Sequence, residues 1–177
     1  MLGQSLSLLP FDWHSLPQKL LAQWRQELDH GKIKDVDFRR RIELYLDQGY
    51  GSCFLKDQRV ARMVQENLIH FEGIKYKLHA WVVMPNHVHY LATPETGYSP
   101  SEIVHSCKSF TAHEANRILD RNGRFWFPEP FDQYIRNHDH FVKTIRYIER
   151  NPVKAGLCKK ASDWRFSSAY LPANLKS

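Results

Sequence analysis

Tyr76-Lys77-Leu78-His79-Ala80-Trp81-Val82-Val83-Met84-Pro85-Asn86-His87-Val88-His89-Tyr90-Leu91-Ala92-Thr93 is the stretch that decides the fold. Tyr76 to Met84 and His87 to Thr93 are both rich in the β-branched and aromatic residues that favour strands. Pro85 and Asn86 lie between them. Proline suits the first central position of a tight turn and asparagine the second, so the segment reads as a β-hairpin. Side chains alternate across a strand. His87 and His89 therefore project together, while Val88 faces away. Two imidazoles at that spacing can bind one cation, but need at least one more protein ligand. A chain with ten histidines also produces a His-x-His pair by chance, so both accounts stand at this point.

Upstream of the hairpin the pattern is helical. Leu20, Leu21 and Trp24 recur at helical spacing within Leu16 to Asp29. A charged stretch, Gly31 to Arg41, leads into Ile42, Leu44 and Leu46, a second helical piece ending near Gly49 and Gly51. Val60, Met63, Val64, Leu68 and Ile69 mark a third helix over Asp57 to Phe71. Downstream, Ser99 or Ser101 can cap a helix with Pro100 in its first turn. Ile103, Cys107, Phe110 and Ile118 form one buried face of that helix; Lys108 lies off it. Glu114 falls on the same face, and a pair with Arg117 accounts for it. Phe125 to Ile135 reads as extended or irregular, since Pro128 and Pro130 oppose a helix. Phe125, Trp126 and Phe127 read as core packing more readily than as base-stacking rings. A last helix spans Asp139 to Asn151, where Pro152 ends it. The tail, Lys159 to Ser177, packs back on the core through Trp164, Phe166 and Tyr170.

The bulk numbers narrow the function classes. The chain has 177 residues, 42% of them apolar, which fits one domain (1–177) with a real core. Within it, residues 11–47 form a helical N-terminal part and 159–177 a tail. No run approaches the ~20 apolar residues of a membrane-spanning helix, and the start does not read as a signal peptide. Cys53, Cys107 and Cys158 are odd in number and far apart, which opposes a disulfide framework; no CxxC pair suggests a structural zinc site. The net charge of +6 favours a polyanionic partner. The expected setting is cytoplasmic, with no membrane partner.

The last helix carries a second set of candidates. Phe141, Ile145 and Ile148 form its buried stripe, and Tyr147 falls off that stripe. Asn151, four residues on, shares a helical face with Tyr147, as do Lys143 and Thr144. Arg146, Arg150 and Lys154 add positive charge. A phenol, an amide oxygen able to bind a metal and cations for phosphate thus fall within two turns. A tyrosine at a core edge and an asparagine before a proline are the plainer account.

Trp81-Val82-Val83-Met84-Pro85-Asn86-His87-Val88-His89, followed by Tyr147-Ile148-Glu149-Arg150-Asn151-Pro152-Val153-Lys154-Ala155-Gly156-Leu157, resembles the REP-associated tyrosine transposases, of the single-tyrosine His-hydrophobic-His (HUH) group. The resemblance continues through Lys108-Ser109-Phe110-Thr111, Phe131-Asp132-Gln133-Tyr134-Ile135-Arg136 and Asp163-Trp164-Arg165-Phe166-Ser167-Ser168. It implies an α+β fold: a ferredoxin-like antiparallel sheet packed against helices. It also implies that His87 and His89 ligate a divalent metal, Mg²⁺ or Mn²⁺, with Asn151 as third ligand and Tyr147 as nucleophile. Tyr134, in another of the matched motifs, is the rival nucleophile. Ser5-Leu6-Ser7-Leu8-Leu9-Pro10 matches the part just after the family's first strand. Met1 therefore falls inside or after that strand, and the expected sheet lacks it.

The implied function is a DNA transposase. Tyr147 attacks a DNA phosphate near a hairpin repeat, giving a 5′-phosphotyrosine and a free 3′-OH. The expected partner is single-stranded DNA carrying a REP-like palindromic hairpin, met by a monomer or homodimer at the nucleoid. Lys143, Arg146, Arg150, Lys154, Lys108 and Arg136 are the candidate DNA contacts. The alternatives are a hairpin-binding module that does not cut, and a metal-dependent nuclease in which water attacks.

Overall fold

The computed structural model describes residues 4–8, 18–126 and 131–170. Its elements run β1 (Gln4–Leu8), α1 (Gln18–Asp29), α2 (Asp35–Asp47), α3 (Gln58–His70), β2 (Tyr76–Val83), β3 (Val88–Pro94), α4 (Pro100–Ile118), β4 (Phe131–Tyr134) and α5 (His138–Lys154). The strands form one sheet in the order β2-β3-β1-β4. Each neighbouring pair is antiparallel. A β-α-β-β-α-β chain with this order has the ferredoxin-like topology, in which the first strand lies at the centre of the sheet. The fold is thus α+β, as the hairpin and its flanking helices lead one to expect.

The expectation of a missing first strand is corrected. Gln4-Ser5-Leu6-Ser7-Leu8 is a strand, paired to β3 from Leu8↔Val88 to Gln4↔Ala92 and to β4 from Ser7↔Phe131 to Gln4↔Tyr134. Its polar–apolar alternation has the period of two that a strand requires. The slot between β3 and β4 gives both of its edges hydrogen-bonding partners, which an edge position would not.

The hairpin forms as read. Met84 N–H donates to the His87 carbonyl at 2.8 Å, and Val83 pairs with Val88. His87 sits one residue before β3 rather than within it. The register shifts between Leu78 and Ala80, and this bulge swaps the faces of β2. Tyr76 and Leu78 point with Val88, Tyr90 and Ala92 into a core under α3 and α4. Beyond the bulge, Ala80, Val82 and Met84 join Leu91 in a second core, closed by Ile148, Phe141 and Ile145 of α5. The sheet is therefore covered on both faces. Leu68, on α3, is 1% exposed within the first core. Leu68→Ala is expected to lower unfolding free energy by about 2–5 kcal/mol, read from the midpoint of a urea melt.

Three details differ from the sequence reading. Pro152 lies inside α5, which runs on to Lys154. Its missing N–H removes one bond of the ladder, yet the helix continues for two residues, and Ala155 N–H still reaches the Asn151 carbonyl at 2.9 Å. Phe110 is half exposed rather than buried. The inner face of α4 is Ile103, Val104, Cys107, Thr111 and Ala115, in which Thr111 donates to the Cys107 carbonyl and accepts from the Trp126 indole. The helix caps follow chemistry: Ser99 accepts from Glu102 N–H in a capping box with Pro100 next to it.

Phe125 and Trp126 pack in the core, whereas Phe127 lies outside the described residues. Arg117 pairs with Glu114 at 2.8 Å. The three cysteines are free thiols, and burial pushes that of Cys107 up to about 12. After α5 the chain returns to β2. Val83 N–H donates to the Phe166 carbonyl, Ser168 N–H to that of Trp81, and the Trp164 indole to that of Val83. The segment covers the outer edge of β2, which would otherwise be open to pairing with another chain. α1 and α2 form an antiparallel pair around their own small core of Phe38, Ile42 and Leu46 with Leu21, Trp24 and Leu28. Gly31, between them, has a φ of +67°, which glycine adopts without the cost a side chain brings.

Candidate active site

Alternation along β3 sends His87, His89 and Leu91 to the α5 side of the sheet. The two rings meet edge to face with centroids 4.6 Å apart, and His89 lies 5.4 Å from the ring of Tyr147. Tyr147 projects from α5 at 36% exposure, and Asn151, one turn on, is 1% exposed. The candidates drawn from the hairpin and from the last helix are thus brought together. Tyr134 is 70% exposed on β4.

Asp47 is the residue around which they gather, and sequence reasoning missed it. It ends α2 and is 6% exposed. Oδ1 lies 3.7 Å from His87 Nε2 and 3.8 Å from His89 Nε2. Asn151 Nδ2 donates to Oδ1 at 3.1 Å, the Tyr147 hydroxyl to Oδ2 at 3.1 Å, and Lys154 Nζ to Oδ2 at 2.9 Å. One clue was available: a carboxylate in the last turn of a helix opposes the helix dipole. Such a placement suggests that the charge is wanted for something else.

The electrostatics follow from burial. Burial, reinforced by His89 alongside, pushes the His87 imidazolium well below its ordinary range, so the ring is neutral. Burial pushes the Asp47 carboxyl up, but the neighbouring His89 ring and hydrogen bonds from Lys154 and Asn151 outweigh it and hold the carboxyl well below its usual range. Asp47 is a buried anion beside a neutral imidazole. His87 Nε2 and Asn151 Oδ1 are buried without hydrogen-bond partners. Such orphaned acceptors are costly in a folded protein, and a cation would satisfy both. Asp47, His87 and His89 offer ligand atoms all within 4.8 Å of one another, a group that could hold a metal ion.

Asn86 is a second residue whose role exceeds its turn chemistry. It is 2% exposed. Its amide nitrogen donates to the carbonyls of Leu46 at 2.8 Å and Tyr50 at 2.6 Å, on either side of Asp47 in sequence. Its oxygen lies 2.8 Å from His87 Nδ1. With the amide committed as donor, Nδ1–H must donate to that oxygen, which leaves the Nε2 lone pair facing Asp47. Asn86 thus sets the tautomer of His87 and ties the end of α2 to the hairpin. Asn86→Ala is expected to weaken divalent-metal affinity by about 10- to 100-fold, measured by titration calorimetry with Mn²⁺.

The candidate DNA contacts separate into two groups. Lys143, Arg146, Tyr147, Arg150, Val153 and Lys154 line one groove of about 480 Å³ along α5. Lys154 also borders a second hollow of about 290 Å³ with Leu44, Asp47, Gln48 and Ala155. Lys108 sits half-buried on α4, which packs on the opposite face of the sheet from α5. Arg136 is exposed in the link between β4 and α5. Lys108 is therefore set apart from the histidine–tyrosine cluster.

A ferredoxin-like sheet with a buried histidine pair facing a helix-borne tyrosine defines the class of HUH-type transposase proteins. Residues 54–151 match the family model described as "Transposase IS200 like", and the chain belongs to that family. It is 34% identical over 94 residues to the REP-associated tyrosine transposase of Escherichia coli (strain K12), matching 52% of this chain and 54% of the relative. The chain spans about half the length of that curated relative. A solved structure of a REP-associated tyrosine transposase bound to a REP hairpin superposes with a TM-score of 0.54 at 22% identity, covering 94% of this chain and 76% of the other. That likeness concerns the fold. Among the described residues no helix is long and apolar enough to cross a membrane.

Proposed function

We propose that this chain is a DNA nicking and strand-transfer enzyme in which Tyr147 is the nucleophile. The observation that carries the reading is the meeting of the Tyr147 hydroxyl, Asn151 and both histidines at one buried carboxylate. The phenol oxygen attacks a DNA phosphorus. The new bond is a 5′-phosphotyrosine, and the bond to the 3′ oxygen breaks, leaving a 3′-OH. Bond energy is kept in the covalent link, so a later 3′-OH can reverse the step without ATP.

His87, His89 and Asn151 would hold a divalent cation, Mg²⁺ or Mn²⁺. The fit rests on the neutral His87 ring and on the orphaned Nε2 of His87 and Oδ1 of Asn151. When bound, the cation supplies Lewis-acid polarisation of the phosphate and offsets its developing charge. The protein's own contribution is to hold the phenol. A free tyrosine has a pKa near ~10 and is a poor nucleophile unless oriented and assisted.

The substrate in this reading is single-stranded DNA beside an imperfect hairpin. The groove along α5 suits a phosphate backbone: Lys143, Arg146, Arg150 and Lys154 line it beside Tyr147. The relative solved with a REP hairpin supports the same substrate class. Such work belongs at the nucleoid, by a monomer or a homodimer.

The test is direct. The purified chain is mixed with Mn²⁺ and end-labelled hairpin single strands, and a denaturing gel is read for a protein–DNA adduct. An adduct carrying the 5′ end of the cut supports strand transfer. Binding without any adduct would replace it with a module that grips hairpins and does not cut. Cleavage without an adduct would point to attack by water.

A further inference from the structure

We infer that Asp47 joins the two halves of the site: Oδ1 completes the ligand set of the divalent cation with His87 and His89, while Oδ2 holds the Tyr147 phenol and the Lys154 ammonium. The inference rests on the proposed metal-assisted reading and extends it to a residue on α2, outside both the hairpin and the last helix.

The two carboxylate oxygens divide most of their neighbours, although the Tyr147 hydroxyl reaches both, at 3.1 Å to Oδ2 and 3.3 Å to Oδ1, and Oδ1 also accepts from Asn151 Nδ2 at 3.1 Å. Oδ1 faces the two ring nitrogens at 3.7 and 3.8 Å. Those separations exceed a hydrogen bond. They are below the ~4.2 Å that two ligand atoms on one cation can span, twice a bond of about 2.1 Å. Oδ2 accepts from Tyr147 at 3.1 Å and from Lys154 at 2.9 Å. One side chain therefore presents an oxygen to the ligand cluster and an oxygen to the nucleophile.

Charge points the same way. Two imidazoles and an amide bring no negative charge to a divalent cation, and hard cations of this kind take carboxylate oxygen by preference. Asp47 supplies that charge. Conversely, a buried carboxylate needs compensation. Lys154 compensates from the Oδ2 side only and is itself 54% exposed. On the Oδ1 side lies His87 Nε2, 3.7 Å away and buried without a hydrogen-bond partner. A cation among these atoms answers both needs.

The local fold is arranged to put the carboxylate there. Asp47 is the last residue of α2, whose core of Phe38, Ile42 and Leu46 packs on α1. Asn86 clasps the carbonyls of Leu46 and Tyr50 from the hairpin. The clasp that orients His87 thereby also places Asp47, so ligand geometry and nucleophile position are set by one connection.

The experiment uses the full chain. Mn²⁺ affinity is measured by calorimetry for wild type, Asp47→Asn, Asp47→Ala, His87→Ala and Tyr147→Phe, with a thermal melt of each to check folding. Asp47→Asn keeps the shape but removes the charge and turns one of the two acceptor oxygens into a donor. It is expected to lose at least the ~10- to 100-fold typical of weaker, outer-shell losses, while Tyr147→Phe stays close to wild type. In parallel, nitration of Tyr147 in metal-free protein is followed by peptide mass spectrometry. Asp47→Ala, which removes the acceptor of the phenol, is expected to speed it several-fold.

Wild-type Mn²⁺ affinity in both folded Asp47 variants, with binding lost in His87→Ala, overturns the ligand role. Unchanged nitration overturns the phenol tether. If His87→Ala also binds like wild type, the histidine cluster is not the metal site and the proposed function fails with it. An absent DNA adduct with Asp47-dependent Mn²⁺ binding sinks only the strand-transfer reading.

Discussion

Tyr147→Phe is expected to abolish covalent capture of DNA, lowering adduct yield by about 10³-fold or more, as removal of a nucleophile does elsewhere. The substitution removes one oxygen and leaves the ring. That ring is 36% exposed at the edge of the α5 groove and packs near His89, so little packing is lost. The fold should persist, and hairpin binding should stay within a few-fold of wild type, because the cations lining the groove are untouched. The measurement pairs a denaturing gel for the adduct with a native gel for binding. A Tyr147→Phe protein that still forms the adduct at the wild-type rate would move the nucleophile elsewhere, with Tyr134 the first to test.

His87→Ala and His89→Ala are expected to have the next largest effect. Each removes a ring nitrogen from the cluster at Asp47, and each should cost more Mn²⁺ affinity than the ~10- to 100-fold of an outer-shell loss. Adduct formation should fall with it and return in part at high Mn²⁺ if the remaining ligands still hold the ion. The two variants should differ in stability. His87 is fully buried and bonded to Asn86, so its truncation leaves Asn86 Oδ1 without its donor, at a cost of about 1–3 kcal/mol. Cleavage that proceeds undiminished in both variants would remove the metal from the mechanism.

The histidine pair was legible in the sequence because a strand has a fixed period of two. Tyr147 and Asn151 were legible as a pair because a helix repeats every 3.6 residues. The buried stripe of α5, the Ser99 cap and the Glu114–Arg117 pair are local in the same sense: each depends on residues within a turn or two. The first strand was misread because its place in the sheet depends on partners far along the chain. Gln4 pairs with Ala92 and with Tyr134. Pro152 was misread because a proline disfavours but does not forbid the helical conformation of the residue before it, and the helix here, with Asn151 and Pro152 buried, runs on to Lys154.

The opening hairpin marks the boundary between the two kinds of knowledge. By itself the sequence determined that Tyr76 to Thr93 turns back on itself, that His87 and His89 share a face, and that a phenol and an amide share another. Only the tertiary structure decided that these faces meet, and that they meet at Asp47, 40 residues before the first histidine and 100 before the tyrosine. Periodicity constrains neighbours along one element. A carboxylate at the end of a separate helix is brought in by packing and by the two carbonyls that Asn86 holds, contacts with no signature in local sequence.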